Sequence, residues 1–449
     1  MKLFRIVMFT ALASSHTLGV AGQLAFPVEK QTLDNGLTVF LIPDHSCPSV
    51  TLQVWYKTGS RNERPGITGI SHLFEHLMFK GTQKYPGGTF DRLVESNGGW
   101  DNAWTWVDNT AYYEVMPSDK LELVLQLEAD RSRNLILDTE NLDSERNVVI
   151  NERLWSVDNS PEGSLYEVLI NNAFVAHPYR WEVIGFIDDL RAITLEDCLE
   201  YYRIHYAPNN SFLIISGDFD PSHAMRMVNE NFRPLKAEQP PPPVKSIEPE
   251  QKGEKRIDFI RAAQLPAVMA GYKIPGAAHP DIIPLEVAAR ILFDGESSRL
   301  QKRLVYDEQK AVTLEGEAES HHDPYLFYVY AQATPGADIE DIKNILFEEI
   351  EKLASAPISE GELQKAKNQM ESDFIFGLQS NTNRAYNIGI FEVSVDDYSR
   401  IYDYPDKIQS VTSEDVMRAA AEYLVRNNRT VVTLVPETTQ ESAENVPAE

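Results

Sequence analysis

Each half of the 449-residue chain opens with the same apolar pattern. Two strand-like segments come first, and a turn and an apolar-periodic helix follow them. The segments are LTVFLIP and SVTLQVWYKTGS in the first half, and RIDFI and AVMAGYKIPG in the second. Tyr56 and Tyr272 hold matching places, and a lysine follows each. This repeat predicts an α+β fold of two homologous α/β domains, each with a mostly antiparallel sheet packed with helices.

A proline-rich, charged stretch separates the two halves. Residues 233–256 read RPLKAEQPPPPVKSIEPEQKGEKR, and four consecutive prolines among so many charges cannot form a core element. We expect an extended linker here, between one domain over residues 23–232 and a second over residues 257–435. Residues 436–449 form a polar tail. The chain is long enough for two cores, and 43% hydrophobic residues is typical of a globular protein.

The N-terminal residues have the pattern of a secretory signal peptide. Lys2 and Arg5 give a positive start, residues 6–13 are mostly apolar, and residues 20–22 are small. The apolar run is shorter than the roughly 20 residues that a spanning helix needs, which argues against a membrane anchor. We therefore predict a signal peptide over residues 1–22 and an exported protein, periplasmic or secreted.

Net charge and cysteine content limit the partners and cross-links of the chain. Nucleic acid and anionic membrane surfaces are both excluded as expected partners, because they would repel a protein with a net charge of −27. A neutral or mildly cationic polypeptide is compatible with this charge. The only cysteines are Cys47 and Cys198, so at most one disulfide can form.

The stretch HLFEHLMFKGT begins inside a predicted amphipathic helix over residues 67–80. The predicted buried face of this helix consists of Ile70, Leu73, Phe74, Leu77 and Met78. At about 100° per residue, His72 and His76 point away from that face and lie only about 40° apart. The two imidazoles therefore point in nearly the same direction.

This arrangement can bind a metal ion. Two imidazoles at i and i+4 can ligate one metal, and Glu75 at i+3 can reach a water on that metal without being a ligand. The order HxxEH is an inverted zinc motif, which favours this interpretation. The alternative is a solvated helix face that carries two ordinary histidines.

A third ligand is expected from the segment DSERNVVINERLW, residues 143–155. Glu145 and Glu152 are seven positions apart, so they fall on one face of a helix. One can complete the coordination while the other orients a ligand or a bound water, and the spacing does not choose between them. The alternative is an ordinary charged helix surface. At the corresponding place the second half carries the ligand-free run 288–292, so one site per chain is expected.

HLFEHLMFKGT together with NVVINERL resembles the pitrilysin and insulinase-like metallopeptidases, in particular their mitochondrial-processing-peptidase-like branch. The resemblance extends through GGWDNAWTWVDNTAYYEVMP, HPYRWEVIG, YAPNNSFLIISGDFDP and GESSRL. It implies that His72, His76 and Glu152 bind one Zn²⁺ per chain. It also implies that Glu75 is the general base and that Glu145 is a supporting acid.

The resemblance also implies a peptide-binding strand. The segment GGWDNAWTWVDNTAYY has strand-like alternation, and in the family it forms the edge strand to which an extended substrate adds. Asn102, Ala103, Trp104 and Thr105 are the expected substrate-binding residues.

Family members that are complete in themselves carry an arginine and, seven residues later, a tyrosine in the second half. Here an ungapped match places Val305 and Val312 at these positions, whereas Arg299 and Tyr306 have the right spacing in the wrong place. We therefore predict a zinc endopeptidase that cleaves peptides or unfolded polypeptides in a chamber closed by a homologous subunit, as a heterodimer. The alternatives are a self-sufficient homodimer and a catalytically silent binding or scaffold protein.

Two further histidines, His321 and His322, are adjacent. On a strand they would face opposite sides and make a poor joint ligand set. We predict that both are surface residues.

Overall fold

The computed structural model describes residues 26–437. The predicted signal peptide over residues 1–22 lies outside the described residues, as do residues 438–449 of the predicted tail. Within residues 26–437, no helix combines the length and the apolar character that crossing a membrane requires.

The first half of the described chain contains six strands and eight α-helices. The strands are β1 (Glu29–Thr32), β2 (Thr38–Pro43), β3 (Ser49–Tyr56), β4 (Trp100–Thr105), β5 (Thr110–Pro117) and β6 (Ser211–Gly217). The helices are α1 (Ile70–Leu77), α2 (Thr89–Ser96), α3 (Leu121–Asn134), α4 (Thr139–Arg153), α5 (Pro161–Ala173), α6 (Ile187–Ala192), α7 (Leu195–His205) and α8 (Pro221–Phe232). A π-helical segment, Leu154–Asp158, continues directly from α4.

The second half contains five strands and six α-helices among the described residues. The strands are β7 (Lys255–Arg261), β8 (Ala267–Ile274), β9 (Ala311–Ala318), β10 (Tyr325–Ala333) and β11 (Arg429–Pro436). The helices are α9 (Ile282–Phe293), α10 (Ile339–Ser355), α11 (Glu360–Gly377), α12 (Asn381–Val395), α13 (Tyr404–Ser410) and α14 (Ser413–Tyr423). A second π-helical segment covers Gln301–Asp307.

Apart from the additional strand β1, the two sheets share one topology, which explains the repeat in the sequence. The strand order is β1-β2-β6-β3-β5-β4 in the first sheet and β7-β11-β8-β10-β9 in the second. In each sheet one pair is parallel, β2 with β6 and β7 with β11, and the remaining pairs are antiparallel. Tyr56 pairs with the first residue of β6, and Tyr272 pairs with the first residue of β11. The predicted pair of homologous, mostly antiparallel domains is confirmed.

One helix of each domain packs against the sheet of the other domain. Helix α5 of the first domain packs Leu165 and Leu169 in one apolar cluster with Met269 of β8. Helix α12 of the second domain packs Ile388 against the far face of the first sheet. There the helix backbone lies so close to Trp55 that a Cβ added at Gly389 would come within 2.2 Å of the indole ring. The two domains are therefore interlocked through apolar contacts.

The linker between α8 and β7 contains no helix or strand, and it contacts both domains. Glu248 accepts hydrogen bonds from the main-chain N–H groups of Val175, Ala176 and His177. The same carboxylate also accepts one from Nζ of Lys273 in the second domain, at 2.7 Å. Glu248 thus helps to fix the extended proline-rich segment against both domains.

Both cysteines are free thiols. Cys47 is exposed, whereas Cys198 is buried in α7. Burial raises the pKa of the Cys198 thiol to about 12, which makes it unreactive at neutral pH.

Candidate metal centre

Helix α1 is shorter than the predicted helix over residues 67–80. It begins after Gly69, whose φ of 86° lies in the left-handed region and interrupts a helix. Beyond Leu77 the hydrogen bonds span three residues instead of four. Phe79 N donates to His76 O and Lys80 N donates to Leu77 O, so the α-helix ends here. The core of the prediction, including HLFEH, lies within α1.

Helix α1 buries Leu73, Phe74 and Leu77 and turns its two histidines to the opposite side. The ring centroids of His72 and His76 are 4.9 Å apart. Both rings are shielded from solvent, since 12% of the His72 side chain and 23% of the His76 side chain are exposed. The directions predicted from helical geometry are therefore those observed.

Helix α4 brings a carboxylate to these two rings. The helix starts at an Asp138 cap, whose side chain accepts a hydrogen bond from Asn141 N. From its last turn, Glu152 places Oε2 3.8 Å from Nε2 of His72 and 3.5 Å from Nε2 of His76. One donor atom from each of the three residues lies within 4.8 Å of the others. Among residues 26–437, no other set of three or more histidine, cysteine or acidic side chains converges in this way.

Glu145 lies on the same face of α4 but has other contacts. Its Oε2 is 3.5 Å from Nδ1 of His76, and its Oε1 accepts a hydrogen bond from Nζ of Lys80 at 2.8 Å. The His76 ring thus lies between two carboxylates, with one nitrogen towards each. Only Glu152 reaches both histidines. This contact distinguishes Glu152 from Glu145, which their spacing in the sequence could not do.

The donor set fits a zinc ion. Two imidazole nitrogens and one carboxylate oxygen, with a fourth position left for water, are typical of catalytic zinc sites. Tetrahedral ligands about 2.1 Å from such an ion are roughly 3.4 Å apart. The separations of 3.5 and 3.8 Å between the histidine nitrogens and Glu152 are close to that value.

Glu75 lies between the histidines and the edge of the first sheet. It is half-buried beside Thr105 of β4. Burial raises the pKa of Glu75, and its interactions with Thr105 and His76 partly oppose that shift. Glu75 is not one of the three converging donors, so it is free to contact a water or a substrate.

Strand β4 is the edge strand that the family resemblance implies. It pairs with β5, and no other described strand pairs with it. Of the expected substrate-binding residues, Ala103 packs against the core beneath α1, and Thr105 lies beside Glu75. Trp104 points to the other face and contacts Trp55, with ring centroids 5.1 Å apart. The fourth residue, Asn102, is exposed.

Two family descriptions match most of the chain. The one described as Insulinase (Peptidase family M16) matches residues 38–185, and the Peptidase M16 inactive domain matches residues 192–370. Zinc protease PqqE from Helicobacter pylori is 34% identical over 416 residues, which are 91% of this chain and 93% of that protein. The chain belongs to peptidase family M16.

Two further relatives agree with this assignment to family M16. Mitochondrial-processing peptidase subunit beta from Blastocladiella emersonii is 25% identical over 446 residues, 95% of this chain and 94% of that protein. The crystal structure of a protease from Helicobacter pylori has a TM-score of 0.89 and 33% identity, covering 92% of this chain and 100% of that chain. The predicted family and the predicted two-domain fold are both confirmed.

In this M16 chain, the prediction that His321 is a surface residue is wrong. His321 is 7% exposed, with Nδ1 3.6 Å from Asp108 and Nε2 3.1 Å from Glu319. Although burial alone would lower it, these two carboxylates raise the pKa of His321 to about 9. The neighbouring His322 is half-buried.

The buried polar contacts around Asp108 join the two domains, and the sequence reasoning missed them. Besides His321, they involve His177, Tyr179 and Asp323. The only signal in the sequence was HPY, which begins at His177 and carries little information alone.

Of the Arg299 and Tyr306 pair, Arg299 is not free to hold a substrate. Nε and Nη2 of Arg299 each donate to a carboxylate oxygen of Glu362 at 2.7 Å. Tyr306 is 50% exposed and Val312 is 48% exposed. Arg299 is therefore already paired within its own domain.

A cavity of about 1080 Å³ lies beyond the end of β4. Trp106 and Asn109 line it on the first-domain side, and Glu315, Glu317 and His321 line it on the second-domain side. This space is large enough for several residues of an extended polypeptide.

Proposed function

We propose that this chain is a zinc-dependent endopeptidase, with one Zn²⁺ held by His72, His76 and Glu152. The observation that carries the proposal is the convergence of donor atoms from these three residues within 4.8 Å. The 34% identity to a protein named zinc protease PqqE supports the same metal and the same class of reaction.

Glu75 is the proposed general base. When bound, zinc supplies Lewis acidity and lowers the pKa of a coordinated water. Glu75 takes the proton from the attacking water and delivers it to the leaving amine. Its place beside Thr105 puts it between the donor cluster and strand β4. Glu145 is a supporting acid that orients His76 through Nδ1.

The proposed substrate is a peptide or an unfolded polypeptide. An extended chain can add to the free edge of β4 through main-chain hydrogen bonds, which require little sequence specificity. Asn102, Ala103 and Thr105 lie along this strand, and Trp104 supports it from beneath. The cavity beyond Trp106 accommodates the continuation of the substrate.

We further propose that the chain works after export and with a homologous subunit. Residues 1–22 act as the signal peptide, residues 23–232 form the zinc-binding domain, and residues 257–435 form the domain without ligands. Because Arg299 is paired with Glu362, residues 26–437 offer no free arginine seven positions before a tyrosine. A second chain that supplies an arginine and a tyrosine would complete a closed chamber as a heterodimer. One of the M16 relatives carries the name of a subunit.

The decisive experiment replaces Glu75 with glutamine. Glu75→Gln keeps the size of the side chain but cannot accept a proton, so zinc content should be unchanged while turnover of an unfolded polypeptide falls by roughly 100-fold or more. Glu95→Gln, an exposed glutamate in α2, is the matched control and should keep full activity. Normal hydrolysis by Glu75→Gln would remove Glu75 from the mechanism.

A further inference from the structure

The loop of residues 106–109 fixes the end of the edge strand. It joins β4 to β5 and is closed by a hydrogen bond from Trp106 N to Asn109 O at 2.8 Å. The main chain of the first domain packs tightly against it, because Arg61 N donates to Val107 O at 2.9 Å. A Cβ at Gly59 would lie 2.2 Å from Trp106 O, so only glycine fits there.

The second domain holds the same loop through an apolar contact. Val107 is 4% exposed and belongs to a cluster that includes Ala267, Tyr325 and Leu326 of the second domain. The loop therefore lies in the interface between the domains.

A buried carboxylate adds directional contacts to this loop. Asp108 is 8% exposed, and its Oδ1 accepts a hydrogen bond from Oη of Tyr179 at 2.6 Å. Its Oδ2 accepts one from the main-chain N–H of His322 at 3.0 Å and lies 3.6 Å from Nδ1 of His321. Asp108 thus joins the loop to the first domain through Tyr179 and to the second domain through His321 and His322.

A second carboxylate connects the second domain to side chains of the first. Asp323 of the second domain accepts a hydrogen bond from Nε of Arg61 at 2.6 Å and lies 3.0 Å from Nε2 of His177. Its main-chain N–H donates to Oη of Tyr179 at 3.2 Å, so Tyr179 contacts the side chain of Asp108 and the main chain of Asp323. Removing one member of such a network leaves its buried neighbours with fewer hydrogen-bond partners, which displaces them.

We propose that Asp108 is a positioning residue for the peptidase reaction. By binding the loop of residues 106–109 to Tyr179, His321 and His322, it fixes the position of strand β4 relative to helix α1. This inference rests on the proposed function, because the strand it positions is the proposed peptide-binding edge.

The consequence for the reaction follows from neighbouring contacts. Thr105, the last residue of β4, lies beside Glu75, and the loop begins at the next residue. This loop therefore sets where the scissile bond of a peptide paired with β4 lies. The position is measured relative to the side of α1 that carries His72 and His76. A displacement of about 1 Å from a productive position can cost roughly 100-fold in rate.

The test is the variant Asp108→Asn, which keeps the size of the side chain and removes its charge. With an extended peptide as substrate, kcat should fall by about 10- to 100-fold. Zinc content should be unchanged and KM should change by less than about threefold, because main-chain pairing along β4 persists. Equal losses on every measure, including zinc content, would contradict a positioning role.

The matched control is Thr382→Val. This change removes the hydrogen bond between the hydroxyls of Thr382 and Thr51, which joins α12 to β3 across the domains at 3.0 Å. Neither residue belongs to the apolar cluster that holds Val107. The kcat of this variant should stay at the wild-type value. If Thr382→Val lowers kcat as much as Asp108→Asn does, the effect is general loosening of the interface and the proposal is overturned.

Hydrogen–deuterium exchange tests the proposal without relying on activity. Asp108→Asn should raise deuterium uptake in fragments that cover residues 100–109 and leave helix α1 unchanged. If Asp108→Asn does not fold, Tyr179→Phe should give the same pattern with smaller changes. Unchanged uptake in residues 100–109 would overturn the positioning role. An inactive, zinc-loaded wild-type complex would instead contradict the proposed function.

Discussion

Nε2 of His76 lies 3.5 Å from Oε2 of Glu152, so a side chain of α1 meets one from the last turn of α4. Neither residue alone distinguishes a metal site from a charged helix surface. Their convergence, with His72 as the third member, is the feature that the predictions below test first.

Removal of any one of the three donors should release zinc. The variants His72→Ala, His76→Ala and Glu152→Ala each leave two ligands, too few to hold a catalytic zinc. The purified mature chain should contain about one zinc, and each variant should contain far less by metal analysis. Glu140→Gln, an exposed glutamate in the first turn of α4, is the control and should keep its zinc. Full occupancy in all three variants would show that the metal site is elsewhere.

Glu145 should affect the site through His76 and not as a ligand. Glu145→Gln removes the charge that faces Nδ1 of His76, 3.5 Å away. Loss of such a supporting carboxylate typically costs about 10- to 100-fold in metal affinity or activity. We expect zinc to remain bound at saturating concentration and its dissociation, followed by a chelator, to be faster. A loss of zinc as complete as in Glu152→Ala would mean that Glu145 is itself a ligand.

The sequence predicts those parts of the site that depend on local geometry. His72, Glu75 and His76 share one helix, so their relative directions follow from about 100° per residue. The choice of Glu152 over Glu145 required the position of α4 relative to α1, which spacing within one helix does not contain. The resemblance to a known family supplied that choice before the structure did.

The contacts between the domains were beyond the reach of the sequence. His321 was expected at the surface because it is adjacent to His322, and on a strand the two would make a poor joint ligand set. It is buried because Asp108 comes from the other domain, and no local pattern records that contact. The exchange of α5 and α12 between the two sheets was missed for the same reason, since an apolar helix face does not specify which sheet it covers.

The buried imidazole of His205 should make the protein less stable in acid. Burial lowers the pKa of His205 to about 4, and its Nδ1 lies 2.8 Å from Oγ1 of Thr58. The unfolded chain binds the proton below the ordinary pKa of about 6.5, so stability is lost as the pH falls from 6.5 towards 4.

At pH 5 this contribution corresponds to about 2 kcal/mol. Unfolding of the zinc-free protein at pH 7 and pH 5 should therefore show a smaller pH-dependent loss for His205→Gln than for the wild type. His45→Gln is the matched control, because His45 is exposed and lies 2.6 Å from Asp218 at the surface. Identical pH dependence in His205→Gln and the wild type would show that His205 is not buried in its neutral form.

The last prediction is that the chain needs a partner for efficient turnover. Val305 and Val312 cannot donate side-chain hydrogen bonds to a substrate carbonyl, and Arg299 is already bound to Glu362 by two hydrogen bonds of 2.7 Å. Loss of one preorganised donor to an oxyanion typically costs about 100- to 1,000-fold in rate. The isolated mature chain should therefore hydrolyse unfolded polypeptide slowly, and a homologous exported chain that carries the arginine and tyrosine should raise the rate by about that factor.

Two sets of variants separate the heterodimer from the homodimer. Replacement of the partner's arginine or tyrosine should abolish the gain in rate. Arg299→Ala and Tyr306→Phe should leave the rate of the mixture within about threefold of the wild-type mixture. The reason is that neither residue faces a substrate in the proposed arrangement. Light scattering of the isolated chain and of the mixture would give the stoichiometry of each. Full activity of the isolated chain as a dimer, lost in Arg299→Ala or Tyr306→Phe, would instead favour the self-sufficient homodimer. In that case the ion pair with Glu362 must open when substrate binds.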